Sequence, residues 1–243
     1  TIKGVLGVPL LEADNDSAFV YLGYELDRTR TRPAPVLIPP ATQRSGDTEI
    51  IKLGIFGHSI YGLSPRPNRY RTNMVVSFDG SYIFDLVDDA ERFRAKVGVT
   101  PTFGSGKLGF CNIGRLTSDS DSLIKGVQGK CTFEALYELN HVTKKGRLVL
   151  KDEDEFILTG GRAAIDFQFF GDQPSGFFAG AEYRYLETIH GSVPNIDRFQ
   201  AYLKYRKWIN DIALDYGLSF VDGINPDSFE KENKLELSFG VLF

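Results

Sequence analysis

Apolar and polar residues take turns along most of this chain. In the last segment Leu235, Leu237, Phe239, Val241 and Phe243 are apolar, Lys234, Glu236 and Ser238 are polar, and Gly240 has no side chain. Period-two alternation places the two sets on opposite faces of a β-strand. The same alternation runs through 131–140, 162–169, 177–185, 199–206 and 211–220. Less regular versions occupy 2–10, 18–26, 49–58, 72–86, 94–110 and 146–151, and one strand covers 155–170. Apolar residues at helical spacing are almost missing. The pattern predicts an all-β, single-domain fold over 1–243, with about twelve strands. Most come near the roughly ten residues that a tilted strand needs to cross a bilayer.

The connections carry a second pattern. Tight ones fall at 87–92, 142–146, 171–175 and 209–211, longer or more polar ones at 59–71, 111–130, 188–197 and 222–233, with the acidic 151–155 among the latter. Threaded in order, tight turns gather at one end of the strands and long loops at the other. That asymmetry, with an even strand count, is the plan of an antiparallel up-and-down membrane barrel. The Pro-rich segment 27–48 departs from it and reads as an excursion at the short-turn end, unless the first two strands are misplaced.

Alternation does not say which face meets water. A lipocalin-like barrel turns its apolar residues inward, and a membrane barrel turns them outward. Three features favour the second. The polar faces mix charges of both signs, as in Arg162 with Asp166 and Glu182 with Arg184, among small residues such as Gly180, Ala213 and Gly217. Such faces suit a narrow lumen filled by ion-paired side chains. Tyr183, Tyr185, Tyr205 and Trp208 sit towards strand ends, where interfacial aromatic girdles lie. The last strand ends on an aromatic residue.

Leu237, Phe239, Val241 and Phe243 resemble the C-terminal β-signal of bacterial outer-membrane β-barrel proteins, a terminal aromatic preceded by apolar residues at alternate positions. The resemblance implies a transmembrane β-barrel in a bacterial outer membrane, recognised by the barrel-assembly machinery. Outer-membrane lipid and lipopolysaccharide would surround it, and its loops could reach a protein partner. The last strand would close the barrel by pairing with the first. A soluble β-sandwich or barrel whose last strand happens to end on Phe is the rival.

Composition narrows the choice. The chain is 42% hydrophobic and 25% charged, with mean hydropathy −0.18 and no run long enough for a membrane-spanning helix. A net charge of −4 without a dense basic cluster speaks against a nucleic-acid partner. The first residue is Thr1, with no leader peptide before it, so the chain reads as mature and processed. Cys111 and Cys131 are the only cysteines and lack zinc-site spacing. They fall at the two feet of one long loop, where adjacent antiparallel strands would let them form a disulfide. Closing about 20 residues would contribute about 3 kcal/mol. Two unpaired buried thiols are the alternative.

Few motifs suggest chemistry. Gly104, Gly106 and Gly109 match a dinucleotide fingerprint, but no helical pattern follows, so the glycines read as strand features. His190 and Ser192 have the His-x-Ser spacing that resembles outer-membrane lipid hydrolases, yet they lie in an expected turn. Asp14 with Asp16, Asp119 with Asp121, and 152–155 form acidic clusters without an EF-hand pattern. No catalytic residue, metal site or cofactor is assigned, and the chain is read as a non-enzyme. The candidate site is the lumen, lined by Lys96, Glu134, Glu138, Arg162, Asp166, Glu182, Arg184, Lys204, Arg206, Asp215 and Glu236. The expected function is a narrow porin-like channel for small polar solutes. A plugged structural or interaction barrel is second, and a lipid hydrolase third.

Overall fold

The computed structural model describes residues 2–13, 15–27, 48–62, 72–87, 89–103, 112–113, 126–146, 154–169, 175–209, 212–227, 229 and 231–242. They form strands β1 (Ile2–Glu12), β2 (Asp16–Asp27), β3 (Thr48–Gly62), β4 (Thr72–Asp85), β5 (Ala90–Phe103), β6 (Asn112–Ile113), β7 (Val127–Lys144), β8 (Glu155–Phe169), β9 (Gly176–His190), β10 (Ile196–Ile209), β11 (Ile212–Ile224) and β12 (Lys231–Leu242). All belong to one sheet. Its order is β1-β2-β3-β4-β5-β7-β8-β9-β10-β11-β12, each strand antiparallel to the next. The two-residue β6 lies off this path, parallel to β7. The fold is therefore an up-and-down meander of eleven long strands, and the count of twelve is reached only by including β6.

Two expectations need correction. β7 and β8 are direct neighbours in the sheet, in a register running from Val127↔Phe169 to His141↔Glu155, so the expected strand is not inserted between them. The expected strand 146–151 falls within their connection, with Gly146 in a turn and 147–151 outside the described residues. Every later connection thereby changes ends. The turns at 86–89 and 191–195 share the end where β1 begins (the first end), while 210–211 lies at the other. Short and long connections mix at both ends, so the asymmetry is absent. The Pro-rich excursion lies outside the described residues over 28–47, but β2 and β3 on either side of it pair directly, as in Asp27↔Thr48.

The second correction concerns closure. The sheet curls until β1 and β12 approach within 8 Å between Cα atoms, yet no ladder joins them among the described residues. Eleven long strands in a meander leave β1 and β12 running the same way, so an antiparallel pairing of last strand with first is not available.

Alternation dictates which residues lie inside the curl. Odd positions of β10, Phe199, Leu203 and Tyr205, are exposed, while its even positions, Arg198, Gln200 and Arg206, turn inward and are half-buried. The usual distribution is inverted: Leu237 is 77% exposed and Leu203 51%, whereas Glu138 and Arg92 are each 2% exposed. An apolar cluster inside the curl sits at the first end: Leu136, Val142, Phe156, Leu158, Leu186, Val193 and Ile196, with Ile224 and Phe229 packed on it. Gly223 leads the chain into this cluster at φ 129°, a region that side chains avoid. A Cβ there would collide with the Asp197 carbonyl oxygen. Gly223→Ala is expected to cost about 1–3 kcal/mol, seen as a lower melting temperature of the sheet's circular dichroism signal.

Candidate functional site

The sequence-nominated charges occupy one inward face. Lys96 lies on β5, Glu134 and Glu138 on β7, Arg162 and Asp166 on β8, Glu182 and Arg184 on β9, Lys204 and Arg206 on β10, Asp215 on β11 and Glu236 on β12. Register brings several together. Glu134 opposes Arg162, which opposes Arg184, and Arg206 opposes Asp215. The two facing arginines are held by one carboxylate: Glu182 pairs with Arg162 Nε at 2.7 Å and with Arg184 Nη2 at 3.1 Å. Arg162 Nη1 also reaches Glu134 at 3.5 Å. Arg206 forms a two-pronged pair with Asp215, at 2.6 and 2.7 Å. Tyr202 donates its hydroxyl to Asp166 at 2.5 Å, and Lys234 pairs with Glu236 at 2.8 Å.

A second constellation was not visible in the strand pattern. The β11–β12 connection folds inward at the first end instead of projecting outward. Its Asp227 meets three cations from the opposite wall: Lys52 of β3, Arg94 Nη1 at 3.0 Å and Arg92 Nη2 at 3.4 Å. Strands β7–β10 separate β5 from β11 in the sheet, so these contacts cross the interior. Arg92 Nη2 also donates to the Pro226 carbonyl at 2.9 Å, and its guanidinium lies 4.8 Å from the Phe229 ring centre. Phe229 meets Phe156 edge-on at 5.3 Å. The turn is stiffened from within. Asp227 N–H donates to Asn225 Oδ1 at 2.8 Å, and Asn225 Nδ2 donates to Glu232 Oε1 at 2.5 Å. Arg94 continues the network to Asp79 at 3.1 Å, which also accepts from Tyr21 at 2.7 Å.

The Asp227 side chain is buried. Burial alone would raise its pKa, but the adjoining Lys52, Arg94 and Arg92 charges outweigh that and hold it far below the usual carboxylate range. Apolar cluster and ionic knot together cap the first end. Asn-Pro-Asp at 225–227 is a turn signal and was legible as such, but not its inward direction.

Beyond the cap, two cavities of about 410 Å³ each, lined by described residues, meet at Arg162. Phe56, Lys96, Thr100 and Arg184 help wall the first; Asp166, Tyr202, Lys204 and Glu236 help wall the second. His58 faces the first cavity and shares a 2.9 Å hydrogen bond with Ser17. Among the described residues no carboxylate orients the ring of His58. His190 ends β9 and Ser192 lies in the turn after it, so they do not share a strand face.

On β12, Leu237 and Phe239 are exposed, Val241 opposes Leu214, and Phe243 lies outside the described residues. Cys131 is buried in β7 beside Ile113 of β6, and Cys111 lies outside the described residues. The glycine motif at 104–109 and the acids Asp14, Asp119, Asp121, Asp152 and Glu153 also lie outside. Among the described residues no group of His, Cys, Asp and Glu could hold a metal ion. No family model, curated protein or solved structure matches this chain.

Proposed function

We propose that this chain is a β-barrel of a bacterial outer membrane, sealed at one end and hollow at the other. The observation that carries this is the inversion of its faces: large apolar side chains ring the outside while charged ones are buried. Lipid rewards that arrangement and water penalises it. A sheet immersed in lipid leaves no edge unpaired, so β1 and β12 close on each other there, side by side and parallel. Leu237, Phe239, Val241 and Phe243 serve as the assembly signal, and lipid and lipopolysaccharide are the immediate surroundings.

The expected alternatives for the interior were an open channel and a plugged barrel. The inward turn around Asp227 favours the plugged barrel, because its contacts span the bore. The hollow end then presents a polar chamber rather than a through-route, and the loops remain free to meet a partner. Single-channel recording in a planar bilayer tests this. The wild-type chain should insert without steady conductance. A steady open pore, with ion selectivity shifted by Arg184→Glu or Arg206→Glu, would restore the small-solute channel.

A further inference from the structure

The first cavity is lined by more positive charge than its own carboxylates neutralise. Lys96, Lys130, Arg162 and Arg184 wall the first cavity, against two acids, Asp79 and Glu134. Both acids are already engaged. Asp79 accepts from Tyr21 at 2.7 Å and Arg94 at 3.1 Å. Glu134 accepts from Ser77 at 3.4 Å and Arg162 at 3.5 Å. Glu182, which holds Arg162 and Arg184 together, lends one carboxylate to two guanidinium groups. Among the described residues Lys96 has no carboxylate within 4.0 Å, and neither does Lys130. Their cross-strand neighbours are acidic, Glu138 for Lys96 and Asp166 for Lys130, yet no ion pair forms across either rung.

Arg184 adds a second, independent sign. Its Nε is buried and has no hydrogen-bond acceptor. A buried guanidinium donor without an acceptor is costly, and so is a recessed ammonium without a counter-ion. The cavity of about 410 Å³ has room for a small oxyanion with some of its water, and the hydroxyls of Thr100 and Thr132 add neutral donors along its wall. Gly98 keeps the approach clear, because a Cβ there would collide with the Glu134 carboxylate and the Ser77 hydroxyl.

We propose that the chamber wall formed by Lys96, Arg184 and Arg162 is a binding site for a small phosphate-class oxyanion. The ligand's oxygens accept from the Lys96 ammonium and the Arg184 guanidinium that lines the cavity, and its charge balances the surplus on that wall. Arg162, already bridging two carboxylates, positions Arg184 through Glu182. This deepens the sealed-barrel reading by naming what the chamber holds, and it rests on that reading for the closed end alone.

The test is titration of the full chain, folded in detergent micelles, with inorganic phosphate, followed by calorimetry. Saturable binding is expected, with at least a tenfold loss in Lys96→Gln. Lys204→Gln, in the second cavity, should bind as the wild type does. Glycerol 3-phosphate is titrated in parallel. Preference for inorganic phosphate assigns the site to a free solute, and preference for the glycerol ester to a lipid headgroup. Circular dichroism confirms that each variant is folded, and Lys130→Gln serves if Lys96→Gln is not. Absence of saturable binding, or wild-type affinity in both folded variants, overturns the site. Either result leaves insertion and conductance unchanged, so failure here is distinct from failure of the sealed-barrel reading.

Discussion

Asp227→Ala is expected to cost about 3–5 kcal/mol of folding stability. Lys52, Arg92 and Arg94 converge on that one carboxylate inside the curl. Removing it takes this carboxylate from Lys52 and Arg92 and leaves Arg94 with Asp79 alone. Asp227→Asn keeps the shape and the N–H bond to Asn225 but loses the charge, and should cost almost as much. Urea titration of the folded chain in detergent measures both. The pH dependence follows from linkage. The carboxyl titrates lower in the folded chain than in the unfolded one, where about 3.9 is ordinary. Its stabilisation is therefore complete above pH ~4 and erodes as pH falls further, as the unfolded chain takes up the proton first. The gap between wild type and Asp227→Asn should be constant from pH 8 to about 5 and narrow below about 4. A gap that closes near neutrality would mean that the carboxyl is not buried among these cations. Loosening the turn also removes the seal, so Asp227→Ala should show flickering conductance where the wild type is silent.

How much of this was legible in advance differs between the wall and the cap. The inward face of the sheet follows from period two alone. Once β9 and β10 are strands, Glu182 and Arg184 must share a face, as must Lys204 and Arg206, whatever the rest of the chain does. Pairing between them needed only register, and Arg206 opposite Asp215 follows from the short connection at 210–211. The cap had no such local rule. Asp227 is 175 residues from Lys52 in sequence, and nothing near Asn225 says that the turn bends into the bore. Its direction is chosen by cations on the opposite wall and by the Phe229 contact with Phe156. The arginines themselves gave a partial sign, since Arg92 and Arg94 are two apart and so face the same way. The threading of the strands departed for a different reason. Leu148, Val149 and Leu150 form a short apolar run that reads as strand, although β7 and β8 already pair with each other. Threading that run as a sheet strand between them reverses the end assigned to every later turn, which produced an asymmetry the fold lacks.

Leu203→Arg should separate a lipid-facing wall from a water-facing one by the size of its effect. Leu203 lies midway along β10, between Leu218 of β11 and Ala179 of β9, on the exposed apolar face. In a bilayer this position is near the hydrocarbon centre, where arginine costs about 2–4 kcal/mol. In water the same change replaces an exposed leucine with a solvated charge, and the effect stays within about 0.5 kcal/mol. Folding into phospholipid vesicles from urea, read by heat-modifiable migration on gels, measures the difference directly. Leu203→Ala is the control for lost contact area and should cost less than the arginine variant. Ser219→Ala, on the inward face of β11, should be nearly silent, because its bond to Glu236 is long at 3.4 Å. A Leu203→Arg chain that folds as readily as the wild type would place that face in water. The apolar ring of Leu203, Leu218 and Leu237 would then need a protein partner rather than lipid to cover it.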